Sequence, residues 1–534
     1  MTTLPTPQPT LAFGNPAFGV LDWAVLLGYF AMLLATGVWF ARKEQSGTED
    51  YFLGGRRMPT WAVAVSVLAT SLSAATFVGG PQQAYTGDLT YLISNIGMVL
   101  AAVVVAAFFV PVFYRARVAT VYELLEHRHG PGAKQAASWT FMLGRIMASG
   151  ARIYIGALPM ALILFEGVGG ASETWHIVAA IWVMTVVGII YTFVGGIASV
   201  IWTDVIQTAV FVGAAIAAIV LLLAKIDAPI GDVIETLRAA ETPAGESKLT
   251  LLSTSTDPAA NYTIFTAIFA FTLMGIASYG TDQDLVQRML TCKSAAKGSA
   301  SVLGAIVASV PVVSLFMVVG LLLWIFYQQP ALVGEGAPDY EANDSRTVFL
   351  EFILREMPAG MTGLMMAGLF AAGLSSLNSG LNSMASTLMN DVYKGVAPAK
   401  SEKHYLRVGR LFVVGWGSVL GGFATFCVYW QSADGSTLID FALGVMTFAY
   451  AGLLGVYLTT LFTKRGSTAS VLAALITGFV VVGMLQPNVV TWWTGIVGLA
   501  EFELGFPWRL TAGAVAATCV CLIGNAKQTG ARND

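Results

Sequence analysis

Apolar and polar positions along the chain fall into alternating blocks. Runs of about 20 or more mostly apolar residues lie at 18–41, 59–84, 88–114, 135–165, 173–194, 197–225, 263–282, 297–327, 346–390, 405–430, 437–462, 467–486 and 507–525, with polar stretches between them. A helix needs about 20 apolar residues to cross a bilayer, so the pattern predicts an all-α polytopic membrane protein with about thirteen transmembrane helices. The run Val489 to Ala500 is apolar but short, and is expected to be interfacial or re-entrant; a full crossing there would make fourteen. Three blocks break the rule of uniform oil. Ser66 to Gly80 reads SVLATSLSAATFVGG, Phe271 to Gln283 reads FTLMGIASYGTDQ, and Phe370 to Ser383 reads FAAGLSSLNSGLNS.

In the last of these, Ser375, Ser379, Asn382 and Ser386 recur at spacings of four, three and four, which is one stripe of a helix. A single serine in a membrane helix is most often there for close packing or to bond its own turn. A stripe flanked by Ser376, Asn378 and Ser383 concentrates oxygen ligands, the requirement of a hard cation such as sodium. Where a membrane helix unwinds, its carbonyls lose their intrahelical partners and face an ion or substrate. The two Gly-interrupted polar helices stand five helices apart. That spacing predicts an inverted five-plus-five repeat, with each repeat opening on a broken helix. The expected organisation is an outer tail 1–17, a leading helix 18–41, repeats 59–225 and 263–462, C-terminal helices 467–525 and an inner tail 526–534.

Composition agrees with the pattern: 56% of residues are hydrophobic, 11% are charged and mean hydropathy is +0.72, against about 25% charged in soluble domains. Lys and Arg cluster in the stretches 42–57, 115–134, 288–297, 394–410, 464–465 and 527–532, while 226–262 and 328–345 are acidic or Gly-rich. By the positive-inside rule the N-terminus is then outside and the C-terminus cytoplasmic, in a plasma or inner membrane. A net charge of −3 gives no argument for nucleic acid. No obligatory protein partner is expected beyond the bilayer, sodium and a small solute. The four cysteines form no CxxC or Cys/His cluster, and the first residues, MTTLPTPQPTLAFG, lack the basic run of a cleaved signal.

Three charges that fall well inside predicted helices stand out: Arg145, Arg152 and Asp204. Each costs about 3 kcal/mol at mid-bilayer, so such residues face a cavity or one another. An enzyme is not expected, because the four histidines sit in loops or at helix ends and there is no HExxH. No Walker A segment supports a pump, no filter motif a channel, and no signalling domain a sensor.

The segments TEDYFLGGRRMPTWAVAVSVLATSLSAATF (48–77), GGIASVIWTDVIQ (195–207), TDQDLVQR (281–288) and AAGLSSLNSGLNS (371–383) together resemble the sodium:solute symporter family, over about 20–480. Its sialic acid branch is similar through SVLATSLSAATF followed by AYTGDLT (84–90). The resemblance implies the LeuT-like inverted-repeat fold and sodium-coupled symport of a small organic solute by alternating access. It implies a central sodium at the carbonyls of Ala69, Leu72 and Ala372 and the hydroxyls of Ser375 and Ser376. A second sodium would lie at Asp204, Ser375, Asn378 and Ser379, where Asn378 replaces the family's Ser or Thr. Substrate would face Ser71, Ser73, Thr76, Tyr91 and Asn95, with Arg152 or Arg145 holding a carboxylate. Leu443 stands where sugar-transporting members carry glutamine, which argues against a simple hexose; the expected solute is a sialic acid or another organic anion, with a neutral sugar or amino acid as the alternative.

Overall fold

The computed structural model describes residues 18–41, 48–165, 174–243, 245–338, 345–434, 437–498, 500 and 502–525. Both predicted tails, together with Arg42, Lys43, Lys527 and Arg532, lie outside the described residues. Each apolar block carries a helix. They are α1 (Val20–Ala41), the bent pair α2 (Thr60–Ser71) and α3 (Ala75–Thr86), α4 (Thr90–Ala116), α5 (Pro131–Leu164), α6 (Thr174–Ile190) and α7 (Gly196–Lys225). The second half holds α8 (Thr266–Thr281), α9 (Gln283–Leu290), α10 (Ala295–Gln328), α11 (Val348–Glu356), α12 (Met361–Val396) and α13 (Glu402–Gln431). The remainder are α14 (Leu438–Phe462), the bent pair α15 (Thr468–Met484) and α16 (Pro487–Val497), and α17 (Phe506–Ile523).

Two details differ from the apolar pattern. The block 346–390 holds two helices, because Pro358 disfavours helix at the residue before it and Gly360 adopts φ +85°. α11 therefore ends at Glu356 and α12 starts at Met361. The short apolar run near 489–500 is α16, turned by 82° from α15, which matches a re-entrant or interfacial segment better than a span. Gly196 separates α6 from α7 at φ 63°, with the Tyr51 carbonyl oxygen 2.9 Å from where a Cβ would sit. Only glycine meets both demands at that corner.

Both interrupted helices break where the sequence turns polar. α2 ends at Ser71, Leu72 is extended at ψ 140°, and the chain restarts through a π turn over Ala75–Gly79, bent by 64°. Serines help to hold the break: the Ser71 hydroxyl donates to the Leu68 carbonyl at 2.8 Å, and the Ser73 hydroxyl accepts from the Ala75 amide at 3.3 Å. Such side chains compete with the helix's own ladder. In the second half the break falls on Asp282 (ψ 115°), whose carboxylate caps α9 by accepting the Asp284 amide at 2.9 Å.

Hydrogen bonds gather the loops into two ends. At one end Arg56 donates to the Val118 carbonyl at 2.9 Å, Tyr114 to those of Met289 and Cys292 at 2.8 Å, and the Gly466 amide to Gly524 at 2.8 Å. These are the basic loops of the sequence. At the other end the Asp22 carboxylate accepts the amides of Gly360 and Gly363 at 2.7 and 2.8 Å, and Lys225 pairs with Glu356 at 2.7 Å. There the Lys248 ammonium donates to the carbonyls of Ala84, Tyr85 and Gly87 at 3.2, 2.8 and 2.9 Å, closing the C-terminus of α3.

Burial pushes Lys248 down to about 8, against the opposing pull of Asp88. The folded chain then releases this proton from about pH 8, while the unfolded chain holds it until about 10.4. The wild-type melting temperature should therefore rise relative to that of Lys248→Met between pH 8 and 10. A constant gap across that range would mean that Lys248 does not titrate there.

Candidate functional site

Ala69, Leu72, Ala372 and Ser375 line one small cavity with Gln207, Thr208, Phe211 and Ala371. It measures about 10 Å³, room for one particle the size of a water or a small ion. The break in α2 supplies its first face. The Leu72 amide makes the last rung of the ladder, to Leu68 at 2.9 Å. The carbonyls of Ala69, Thr70 and Ser71 lie beyond that rung, among those a helix end leaves unpaired. α12 supplies the second face. Ser375 donates its hydroxyl proton to Asp204 Oδ1 at 2.6 Å, which leaves the oxygen lone pairs for another partner. The Ser376 hydroxyl is buried without a hydrogen-bond partner. Four of the five residues expected around the central sodium therefore meet at one void, and the fifth offers an unused oxygen.

The residues expected at a second sodium do not all converge. Asp204 is buried and accepts from Ser66 at 2.5 Å and from Arg288 Nη2 at 3.3 Å, besides Ser375. Ser379, one turn further along α12, donates to Asp284 instead. The Asn378 amide oxygen accepts from Thr192, two residues past the end of α6, at 3.0 Å. The helical register explains the split: Ser375 and Ser379 share a row of α12, whereas Asn378 belongs to the row of Phe370 and Leu374, about 100° away.

Beside the cavity lies a charge cluster that composition and spacing did not reveal. Arg145 pairs with Asp282 and, at 3.1 Å, with Asp284. Arg288 pairs with Asp284 at 2.9 Å and with Asp204 at 3.3 Å, and its Nε donates to Ser66 at 2.9 Å. Tyr450 of α14 donates to Asp282 at 2.7 Å. α2, α5, α7, α9, α12 and α14 are thus tied at the break between α8 and α9. All three carboxylates and both guanidiniums are buried. The signal was present in TDQDLVQR, where two acids and an arginine sit within seven residues of an apolar chain. What it lacked was the distant Arg145 and Asp204.

The two arginines of α5 separate cleanly. Arg145 is committed to two carboxylates. Arg152 is equally buried but makes no ion pair among the described residues. Its guanidinium donates to the Thr70 carbonyl at 3.2 Å and reaches Met446 Sδ at 3.4 Å. Tyr91 and Tyr279 lie within its electrostatic reach, and Tyr279 shares a hydrogen bond with Ser71. Tyr91 also packs edge-on against Tyr262 at 5.2 Å. Of the remaining expected substrate residues, Thr76 is buried in the first turn of α3, and Asn95 donates to the Leu92 carbonyl at 3.0 Å. Ser71, Tyr91 and Arg152 are thus assembled around the break, while Ser73 and Asn95 have hydrogen bonds within their own segments.

Comparison with known proteins follows the same lines. The model of the sodium:solute symporter family matches residues 51–478. The chain is 30% identical to the sodium/sialic acid symporter of Proteus mirabilis over 87% of this chain and 89% of that one. It is 28% identical to the human sodium/iodide cotransporter over 86% of this chain and 69% of that one. A solved structure of a Na+-coupled sialic acid symporter, in a substrate-bound outward-open state, superposes with a TM-score of 0.77 at 28% identity, covering 96% of this chain and all of the other.

Proposed function

This chain belongs to the sodium:solute symporter family, and we propose that it couples sodium entry to uptake of a small carboxylate-bearing solute, a sialic acid or a related organic anion. Sodium-coupled symport is the activity of the family. The LeuT-like fold with its broken helices is its device, and no step is enzymatic. The observation that carries the ion reading is the void at the α2 break. Ala69, Leu72, Ala372 and Ser375 line a space of ionic size, and Ser376, next in the chain, has a buried hydroxyl without a hydrogen-bond partner.

Charge supports the solute reading. With every group ionised, Arg145 and Arg288 against Asp204, Asp282 and Asp284 leave a net −1, which Arg152 brings to zero. A carboxylate on Arg152 and a sodium in the void together preserve that balance in a site remote from water. Each ion lowers the cost of the other, which is what coupling requires. Ser71 and Tyr91 would contact the body of the solute, with Ser73, Thr76 and Asn95 beside them.

Thirteen crossings would put the basic loops inside, the N-terminus outside and the C-terminus in the cytoplasm. The repeats then run over 59–225 and 263–462, with the leading helix at 18–41 and C-terminal helices at 467–525. α16 lies in the interface.

Ser376→Ala should raise the sodium concentration for half-maximal uptake about tenfold, since one ligand oxygen is removed, with membrane insertion unchanged. Uptake equal in choline and sodium buffers would end the sodium reading. A second sodium at Asp204, Ser375, Asn378 and Ser379 competes with Arg288 for the Asp204 carboxylate. Proteoliposomes holding the purified chain report it through the reversal potential. A monoanion moving with one sodium carries no net charge and gains nothing from voltage. A second ion restores about 2.3 kcal/mol per 100 mV. A measured ratio of two that falls to one in Asp204→Asn places the ion there; a ratio of one in both makes Asp204 structural.

A further inference from the structure

A second and much larger cavity shares Gln207 with the small one. It lies between α1, α5, α6, α7 and α12 and holds about 340 Å³, within the range of small-molecule sites. Its wall is largely apolar and includes Leu26, Phe30, Leu33, Met184, Phe370 and Leu374. Its rim carries Leu27, Leu34 and Val183, which are exposed on helices of the membrane layer. The mouth therefore opens on lipid rather than on water.

One feature of the wall does not belong in oil. Gln207 of α7 lines the cavity, is 2% exposed, and has neither its amide oxygen nor its amide nitrogen hydrogen-bonded. A buried amide with no partner is costly and uncommon. Water is a poor remedy, because a buried water takes about three polar partners. Of the other polar side chains in the wall, Asn378 already accepts from Thr192 and Trp23 offers a single indole N–H, too few partners together for a water. The amide needs a partner that arrives with its own apolar body.

We infer that this cavity binds an amphiphile dissolved in the bilayer, with an apolar body and a single terminal hydroxyl or carbonyl that Gln207 receives. A hydroxyl satisfies the amide as both donor and acceptor, and the apolar remainder replaces lipid contacts along α1 and α6. Gln207 also lines the small cavity at the α2 break. An occupant that turns the amide towards itself thus acts on a wall of that cavity. The site stands whether or not an ion occupies the smaller void.

The test is photolabelling of the purified full chain with a diazirine-bearing long-chain alcohol, competed by the unlabelled alcohol or by the alkane of equal carbon number. Label should concentrate on peptides from α1 and α6, and the alcohol should compete about fivefold better than the alkane, the worth of one hydrogen bond. Gln207→Leu should abolish that preference while keeping the label. Leu27→Trp, at the exposed rim, should block labelling of these peptides while solute uptake continues, which shows that the chain is folded. Label spread evenly over the lipid-facing helices, equal competition by alkane in the wild type, or an alcohol preference that survives Gln207→Leu would each overturn the inference.

Discussion

Arg152→Met is expected to raise the solute concentration for half-maximal uptake of a carboxylate by about 30- to 3,000-fold. Truncating one partner of a buried, hydrogen-bonded charge pair costs about 2–5 kcal/mol, and each 1.4 kcal/mol is a factor of ten. The size follows from the setting. Arg152 is 7% exposed and makes no ion pair among the described residues, so an acidic solute would be its first directly paired counter-charge. Arg152→Lys should recover part of the loss: it keeps the charge but cannot donate two parallel N–H groups to one carboxylate. The bond from Arg152 to the Thr70 carbonyl offers another explanation for a damaged variant. Binding of carboxylates and of their neutral amides to purified protein separates the two. A loss confined to the carboxylates belongs to anion recognition, and an equal loss for both would leave Arg152 as a helix cap.

Arg288→Met is expected to be the most damaging single change to stability, costing about 3–5 kcal/mol. The arginine is fully buried and holds Asp204, Asp284 and Ser66 at once. Its removal leaves Asp204 without a cation and Asp284 with Arg145 alone. Thermal unfolding followed by size-exclusion chromatography in detergent should show a lower melting temperature and less monodisperse protein. The double variant Asp204→Asn with Arg288→Met should recover part of that loss, since it deletes the abandoned charge as well. If Arg288→Met melts with the wild type, the cluster does not hold the α8/α9 break together. If the double variant is no better than the single, Asp204 is not the group that Arg288 neutralises.

Much of the architecture is written in local chemistry. Each apolar block long enough to cross a bilayer became a helix, because in lipid the backbone can satisfy its own hydrogen bonds only that way. The breaks fell within the polar stretches at Ser71–Ser73 and at Asp282, where side chains supply partners the ladder gives up. Asn378 shows the limit of reading a stripe by eye. It neighbours Ser379 in sequence yet faces α6, because one residue turns a helix by about 100°.

The sequence by itself determined which segments are helices, where two of them break and that oxygen-bearing residues collect at those breaks, since all of these depend on groups within a few residues of each other. Tertiary structure alone decided which arginine is left without an ion pair among the described residues. Arg145 and Arg152 lie two turns apart on α5 with nearly the same surroundings in sequence. What differs is the arrival of Asp282 and Asp284 beside the first and of the Thr70 carbonyl beside the second. Those contacts span 82 to 139 residues, and no local pattern carries them. The same holds for Gln207, an unremarkable amide on an apolar helix until α1, α6 and α12 close around it without offering a partner.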